Sequence, residues 1–285
     1  MTIVSDAQVV LLGGIAGATI FIGLPVGRAP RLSSSTRALL NALAIGILLF
    51  LLWDILSKAI EPVEHALTAA AVDHNGTWGR FAELAAMFTV CLALGLLSLV
   101  YYDRRLGRRP RARREGPGAA LAEDLRPAGS ILADEASRLA LLIAIGIGLH
   151  NFSEGLAIGQ SAAKGEVSLA LLLIIGFGLH NATEGFGIVA PMSAEAIRPS
   201  WLFLGGLGLI GGGPTFVGTI VGQSFVNSIM FIGFLALAAG SILYVILQLV
   251  RMAFRMGHRE MLMWGVLIGF LAGLTTDLIL VAAGV

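Results

Sequence analysis

The sequence predicts an all-α, polytopic membrane protein that crosses the bilayer eight times. Three observations lead to this prediction. The 285 residues are 56% hydrophobic and 13% charged, whereas a soluble protein would be about a quarter charged. The apolar residues fall in runs of roughly 20, the helix length needed to cross about 30 Å of hydrocarbon. The 37 glycines are typical of helices that approach each other closely within a membrane.

The predicted spans are joined by short polar segments, except for one long connection. Their approximate limits are 8–26, 36–57, 81–102, 137–161, 166–190, 200–223, 227–251 and 260–283. The long connection, 103–136, is rich in Arg, Pro, Gly and Ala, so we expect a solvated cytoplasmic loop rather than a second domain. The whole chain, 1–285, is therefore predicted to be one transmembrane domain. A regulatory role of the loop, or a contact with anionic lipid, stays open.

The basic residues predict the orientation. If both termini lie outside, sixteen of the nineteen Lys and Arg residues face the cytoplasm, nine of them between Arg104 and Arg138. The other three, which face out, are Lys58, Arg80 and Lys164. This bias follows the positive-inside rule, and an odd number of spans would scramble it. We expect a multi-pass protein of the cell membrane with both termini outside, whose partner is the lipid bilayer and not nucleic acid.

A polar motif occurs twice, in the fourth and fifth spans. The stretch "IGIGLHNFSEGLAIG" at 145–159 recurs as "IGFGLHNATEGFGIV" at 175–189. The repeated polar residues are His150, Asn151 and Glu154 in the first copy and His180, Asn181 and Glu184 in the second. Positions i and i+4 share a helix face, so each histidine points the same way as its glutamate. The flanking glycines are expected to let the two spans approach each other closely.

The two copies together predict a cation site. Consecutive spans run in opposite directions, so the copies can meet at one depth around a two-fold axis in the membrane plane, as in secondary transporters. Two imidazoles and two carboxylates form a ligand set that Zn²⁺ accepts and that Fe²⁺, Mn²⁺ or Cd²⁺ can also use. Two buried carboxylates close together share protons or hold a metal. A packing role is the alternative, but the cost of burying these groups favours function.

Further polar residues of the spans are candidates for an ion entrance or a proton relay: Asp54, Glu61, Glu64, His65 and Asp277. The first four lie at the outer end of the second span, where they could concentrate cations. The alternative to a functional role is that these four residues lie at a hydrated helix end, and that Asp277 lies in a hydrated interface. The Gly-rich stretch 204–218 lacks the ending of a phosphate loop. Its Pro214 predicts instead a helix that is broken next to the site.

The motifs "LHNFSEG" and "LHNATEG" resemble the fourth- and fifth-span motifs of the ZIP (Zrt/Irt-like) divalent metal transporters, close to the bacterial branch with a His-Asn-x-Pro-Glu-Gly pattern. "GLPVG" in the first span and the long loop after the third are weaker points of likeness. The resemblance implies eight helices in a 3+2+3 inverted-repeat bundle and import toward the cytoplasm. By position, the six motif residues match the metal-binding positions of the family.

The chain departs from the family pattern at four positions. Ser153 and Thr183 replace the usual proline of the motif, Gly213 replaces a glutamate before Pro214, and Gln248 replaces an acidic residue of the seventh span. The resemblance therefore implies one principal site rather than a complete binuclear centre. Its ligands would be His150, Glu154, His180 and Glu184, with a second, weakly held cation near Asn151 and Asn181.

The sequence thus predicts a transporter and not an enzyme. Its substrate is expected to be a divalent transition metal, with Zn²⁺ first and Fe²⁺, Mn²⁺ and Cd²⁺ as alternatives, and no organic cofactor is implied. Two other functions stay open: an intramembrane metalloenzyme that activates water, and a diverged metal sensor that does not transport. The sequence also leaves open the number of ions, proton coupling as against channel-like flux, and the oligomeric state, a homodimer included.

Overall fold

The structure, a computed structural model, describes residues 6–29, 33–107, 135–163, 167–194, 198–224 and 228–282. Every secondary-structure element in these ranges is helical. Seven of the helical segments described are long and apolar enough to cross a membrane. The predicted all-α class and the multi-pass membrane character are therefore confirmed. Most of the predicted loop 103–136, and Lys164, lie outside the described residues.

The helices follow the predicted spans closely. In chain order they are α1 (Asp6–Ala18), α2 (Ile20–Gly23), α3 (Ser34–Ala71), α4 (Trp78–Gly107), α5 (Glu135–Ala163), α6 (Val167–Ala194), α7 (Trp201–Ser224), α8 (Ser228–Met256) and α9 (Arg259–Ala282). A 3₁₀ turn, Leu24–Arg28, follows α2, and together with α1 and α2 it makes the first span. Helix α6 is not among the seven candidate spans; several of its side chains, that of His180 included, lie outside the described residues.

Helix α3 is longer than the predicted second span, 36–57. It begins where the Ser33 side chain accepts a hydrogen bond from the Thr36 backbone N–H, and it continues through Pro62 to Ala71. Its 38 residues correspond to about 57 Å of helix, whereas the hydrocarbon is about 30 Å thick. The predicted end was wrong because the continuation, 58–71, has five Ala and two Glu, which are good helix formers.

The break predicted at Pro214 is absent from α7, and the first span has a one-residue irregularity at Thr19, whose backbone stays in the α region. Helix α7 continues through Pro214, whereas the first span is interrupted at Thr19, between α1 and α2. The Thr19 hydroxyl lies 2.7 Å from the Ala16 carbonyl oxygen and 2.6 Å from that of Gly178 in α6. A proline removes one N–H donor but is tolerated in a membrane helix whose neighbours satisfy the freed carbonyl.

Helix α5 lies at the centre of the bundle. It packs against α6, α7, α8 and α1, and 72% of its most apolar window is buried. Helices α4 and α9 lie at the periphery, with 17% and 22% of their windows buried. They pack against α8 and α3 respectively. The doubled motif is therefore carried by the interior of the bundle, and the apolar outer faces of α4 and α9 suit contact with lipid.

One end of the bundle, here called the arginine end, carries most of the arginines at helix termini. Arg28 donates a hydrogen bond to the Pro199 carbonyl and lies over the Trp201 ring, 4.7 Å from its centroid. Ser34 and His258 are joined by a 3.2 Å hydrogen bond at the same end. The described arginines near these termini are Arg28, Arg37, Arg104, Arg105, Arg138, Arg198, Arg251, Arg255 and Arg259. The opposite end, here called the far end, carries Lys58 and Arg80.

Candidate metal centre

The first copy of the motif brings its histidine and glutamate together. His150 Nε2 lies 3.0 Å from Glu154 Oε1, and their side chains are 4% and 6% exposed. The predicted i, i+4 pairing on one helix face is therefore found in α5. Ser153 occupies the position at which the family resemblance implies a proline. Its hydroxyl donates a hydrogen bond to the Leu149 carbonyl oxygen, one turn earlier, at 3.4 Å. This contact leaves the helix continuous and directs the Ser153 hydroxyl to its own backbone.

Asn151 joins α5 to α7. Its Nδ2 donates to the carbonyl oxygen of Gly211 at 3.0 Å, and the residue is 0% exposed. Gly211 lies three residues before Pro214, in the stretch where the proline deprives the Ile210 carbonyl of its usual donor. Glycine at position 148 lets α5 approach this stretch, since a Cβ there would collide with the Ile210 carbonyl oxygen. Asn151 therefore bonds to α7 next to the position at which Pro214 removes a backbone hydrogen bond.

Asn181 makes the same contact from the second copy. Its Nδ2 donates to the carbonyl oxygen of Ala16 at 3.0 Å, and the residue is 0% exposed. Ala16 lies three residues before Thr19, where the first span is interrupted. Each asparagine amide therefore bonds to a carbonyl of a neighbouring span just ahead of an irregular position.

The carboxylate of the second copy is deeply buried. Glu184 is 0% exposed on the helix face that follows Asn181. Its histidine, His180, lies in α6, and its side chain is outside the described residues. In the described part of the chain, which excludes that side chain, no three His, Cys, Asp or Glu side chains come close enough to hold a metal ion. Of the four predicted principal ligands, His150 and Glu154 are the pair that the structure brings together.

Three buried oxygen atoms near these contacts have no hydrogen-bond partner among the described residues: Asn151 Oδ1, Asn181 Oδ1 and Glu154 Oε2. Buried polar atoms are nearly always hydrogen-bonded, because an unmet one costs free energy. Amide and carboxylate oxygens are suitable ligands for a divalent cation. These atoms fit the chemistry of a site that holds a cation.

The motif glycines whose surroundings the structure describes face other spans rather than each other, contrary to the expectation from the sequence. A Cβ on Gly155 would collide with the carbonyl oxygen of Thr215 in α7, and one on Gly185 would collide with that of Ile20 in α2. The motif helices therefore make their closest backbone approaches to the sixth and first spans. The expectation was wrong because Gly155 and Gly185 face these two spans, although α5 and α6 are in contact with each other.

The proposed entrance and relay residues lie apart from this pair. Asp54 pairs with Lys58 at 2.8 Å on the half of α3 that leads to the far end. Glu61 and His65 lie 3.9 Å apart on the projecting part of α3, with side chains 70% and 80% exposed, and Glu64 is exposed beside them. Asp277 is partly exposed on the peripheral helix α9. Glu61, Glu64 and His65 are thus exposed, whereas the Asp54 side chain is 15% exposed; the entrance or relay role of these residues stays a prediction.

The carbonyl acceptors Ala16 and Gly211 were not found from the sequence. A signal for them exists in the glycine pattern of the first and sixth spans. Four glycines of the first span recur in the sixth at one constant spacing: Gly13, Gly17, Gly23 and Gly27 correspond to Gly208, Gly212, Gly218 and Gly222. At the same spacing Ala16 corresponds to Gly211. Aligning these spans would have shown that the two acceptors occupy corresponding positions.

Comparison with known proteins gives no identification. No protein-family model matches the chain, and no curated protein matches it. The functional interpretation therefore depends on the residues and contacts of the chain itself.

Proposed function

We propose that this protein is a secondary transporter or channel for a divalent transition metal, most suited to Zn²⁺, similar to the ZIP transporters. The observation that supports it most is the burial of both Asn-x-x-Glu motifs in the centre of the bundle, each anchored by a 3.0 Å hydrogen bond to a different span. Groups this costly to bury in a membrane favour an ion pathway.

The proposed site consists of His150, Glu154, His180 and Glu184, with Asn151 and Asn181 beside them. The His150–Glu154 contact of 3.0 Å orients one nitrogen and one oxygen ligand from a single helix. The anchored amides would turn their free oxygens toward the cation. The ligands are N and O donors without thiolate, a set that Zn²⁺, Fe²⁺, Mn²⁺ and Cd²⁺ can share. The metal is the substrate here, and it must be released again.

We further propose that the eight spans form a 3+2+3 inverted repeat. Spans one to three would exchange with six to eight, and span four with five. The helix contacts support this exchange. The contact between α5 and α7 corresponds to the contact between α6 and the first span. Likewise, the contact between α4 and α8 corresponds to that between α9 and α3, and the contact between α5 and α8 corresponds to that between α6 and α3. The glycine approaches correspond as well: Gly155 meets Thr215, and Gly185 meets Ile20.

The same exchange relates the two asparagine anchors, so the proposed two-fold axis runs through the site. Inverted repeats with a midplane site allow alternating access by movement of one group of helices against the other. With the arginine end in the cytoplasm, both termini lie outside in the cell membrane. The ion would enter from the far end and leave at the arginine end, driven by its gradient.

The experiment is uptake of radiolabelled zinc into liposomes that contain the purified protein. Ala substitutions at His150, Glu154, His180 and Glu184 are expected to lower the initial rate by more than about tenfold, because even residues that only support ligands change metal sites by 10–100-fold. Matched controls are His74→Ala and Glu260→Ala, which remove the same side chains from exposed positions and are expected to leave uptake unchanged.

The outcomes separate the functions. Equal uptake by motif variants and controls would refute the site, and absence of uptake by the unsubstituted protein would refute transport. Zinc bound at equilibrium without uptake would favour the sensor, for which Gly213 and Gln248 at usually acidic positions are the motivation.

A further inference from the structure

The two halves of the site carry different side chains at corresponding positions. Thr215 in α7 and Ile20 in α2 occupy the same place relative to the two motifs. The Thr215 carbonyl oxygen faces Gly155, which follows Glu154, and the Ile20 carbonyl oxygen faces Gly185, which follows Glu184. One turn further on, Thr219 corresponds to Leu24. All four side chains are buried.

The chemistry of the α7 positions is polar. Thr215 is 0% exposed, and its Oγ1 has no hydrogen-bond partner among the described residues. The hydroxyl lies beside α1, where a Cβ on Gly17 would be 3.0 Å from it. Thr219 is also 0% exposed and donates to the Thr215 carbonyl oxygen at 2.8 Å. A buried hydroxyl without a partner is unfavourable unless some state of the protein supplies one.

The corresponding positions of the first span are apolar. A Cβ on Gly211 would lie 2.7 Å from Ile20 Cδ1 and 3.1 Å from Ile188 Cδ1, so these two side chains fill the space against α7. Ile20, Leu24 and Ile188 belong to the large apolar core of the bundle. A second, smaller core around Val9 and Ile158 lies in the far half. No side chain of the Ile20 group can replace water around an ion.

The direction of each helix assigns these positions to opposite sides of the asparagines. Along α7, Thr215 lies four residues past Gly211, away from Arg198 and toward the far end. Along the first span, Ile20 lies four residues past Ala16, toward Arg28. The step is about 6 Å in each case. Glu184, on the Ile20 side, is 0% exposed, whereas Glu154, on the Thr215 side, is 6% exposed.

We propose that the Thr215 hydroxyl is a ligand for the cation on its way between the far end and the site, and that Ile20 with Leu24 closes the path to the arginine end. This inference rests on the proposed transport function. It further states that the ion reaches the site from the far end. A hydroxyl replaces part of the hydration shell of the ion. An apolar constriction, in contrast, stays closed by excluding water.

The sidedness is tested by cysteine labelling in a Cys91→Ser background, which removes the single native thiol. Thr215→Cys is expected to react with a membrane-impermeant thiol reagent applied at the far end, and Ile20→Cys to react from neither side. Asp73→Cys and Ser200→Cys, at exposed positions of the far and arginine ends, verify each side. Absence of reaction of Thr215→Cys from the far end, or reaction of Ile20→Cys from the arginine end, would overturn the assignment.

The role of the hydroxyl is tested by zinc uptake. Thr215→Val is expected to slow uptake roughly tenfold, because the substitution removes the hydroxyl that would contact the cation. Thr215→Ser, which keeps the hydroxyl, is expected to restore uptake, and Ile20→Thr to raise it by opening the apolar side. Unchanged uptake by Thr215→Val would overturn the ligand role. Labelling does not require zinc, so absence of uptake by the unsubstituted protein would refute transport while the labelling still decides the sidedness.

Discussion

The two asparagine anchors make the same contact on two different backbones. Asn151 bonds to Gly211 in a continuous helix that contains Pro214, and Asn181 bonds to Ala16 in a span that is interrupted at Thr19. Both bonds are 3.0 Å long. In α7 the proline removes a donor, whereas in the first span a hydroxyl adds one. Each asparagine thus finds an acceptor carbonyl three residues before a position where the two spans differ, Pro214 in one and Thr19 in the other, so corresponding contacts at the site do not require identical residues.

The largest expected effect concerns the backbone approaches that both halves share. Gly185→Ala and Gly155→Ala should each lower the free energy of unfolding by about 1–3 kcal/mol, because the added methyl group would meet a carbonyl oxygen that belongs to a packed helix. Gly187→Ala is the matched control on α6, since nothing lies within 4 Å of a Cβ there. Thermal unfolding in detergent gives the comparison. Similar midpoints for Gly185→Ala and Gly187→Ala would contradict the close approach.

How far the sequence predicts this molecule depends on the kind of interaction. The apolar runs predict the helices well, because crossing hydrocarbon fixes both length and composition. The repeated His-Asn-x-x-Glu motif predicts the His150–Glu154 pair, because i and i+4 share a helix face. The extension of α3 to Ala71 was missed because membrane hydropathy does not report where a helix continues in water.

Contacts between distant spans were the part that sequence patterns did not predict. The motif glycines were assigned to the wrong neighbours, and a helix break was predicted at Pro214, through which α7 continues. Proline was a reasonable signal, but neighbouring helices can satisfy its freed carbonyl. Thr19 gave no signal by itself, because its effect depends on Gly178 in another helix. Thr215 was overlooked for the same reason, since its burial is a property of the packing.

The second prediction tests whether the two anchors are equivalent in energy. Asn151→Leu should destabilise the protein by about 1–2 kcal/mol, because it removes the amide that donates to Gly211 O in the buried interior. Asn181→Leu should cost less, because the Thr19 hydroxyl remains within 2.7 Å of Ala16 O. Denaturation of the purified variants measures both values.

A control for this difference is Thr19→Val combined with Asn181→Leu. If the hydroxyl compensates at Ala16, the double substitution should cost more than the sum of the two single ones. Strict additivity, together with equal costs for the two asparagines, would mean that the interruption at Thr19 has no part in the anchor.

The smallest expected effect concerns the ends of the two corresponding spans. At the arginine end, Arg28 lies 4.7 Å from the centroid of the Trp201 ring and donates to the Pro199 carbonyl; by the glycine spacing, its counterpart at the far end is Gln223. Arg28→Gln makes the two ends alike. It should lower the free energy of unfolding by about 0.5–1 kcal/mol, the usual value of a cation–π contact at an exposed site.

A double-substitution cycle with Trp201→Leu isolates the contact, because the coupling energy should fall to zero if Arg28 and Trp201 act independently. If the arginine end is held closed, loosening it should also raise the rate of zinc entry, in the same direction as Ile20→Thr. A stability loss without any coupling to Trp201 would assign the contribution of Arg28 to the Pro199 carbonyl alone. The contrast with Gln223 would then reduce to one hydrogen bond at the end of the span.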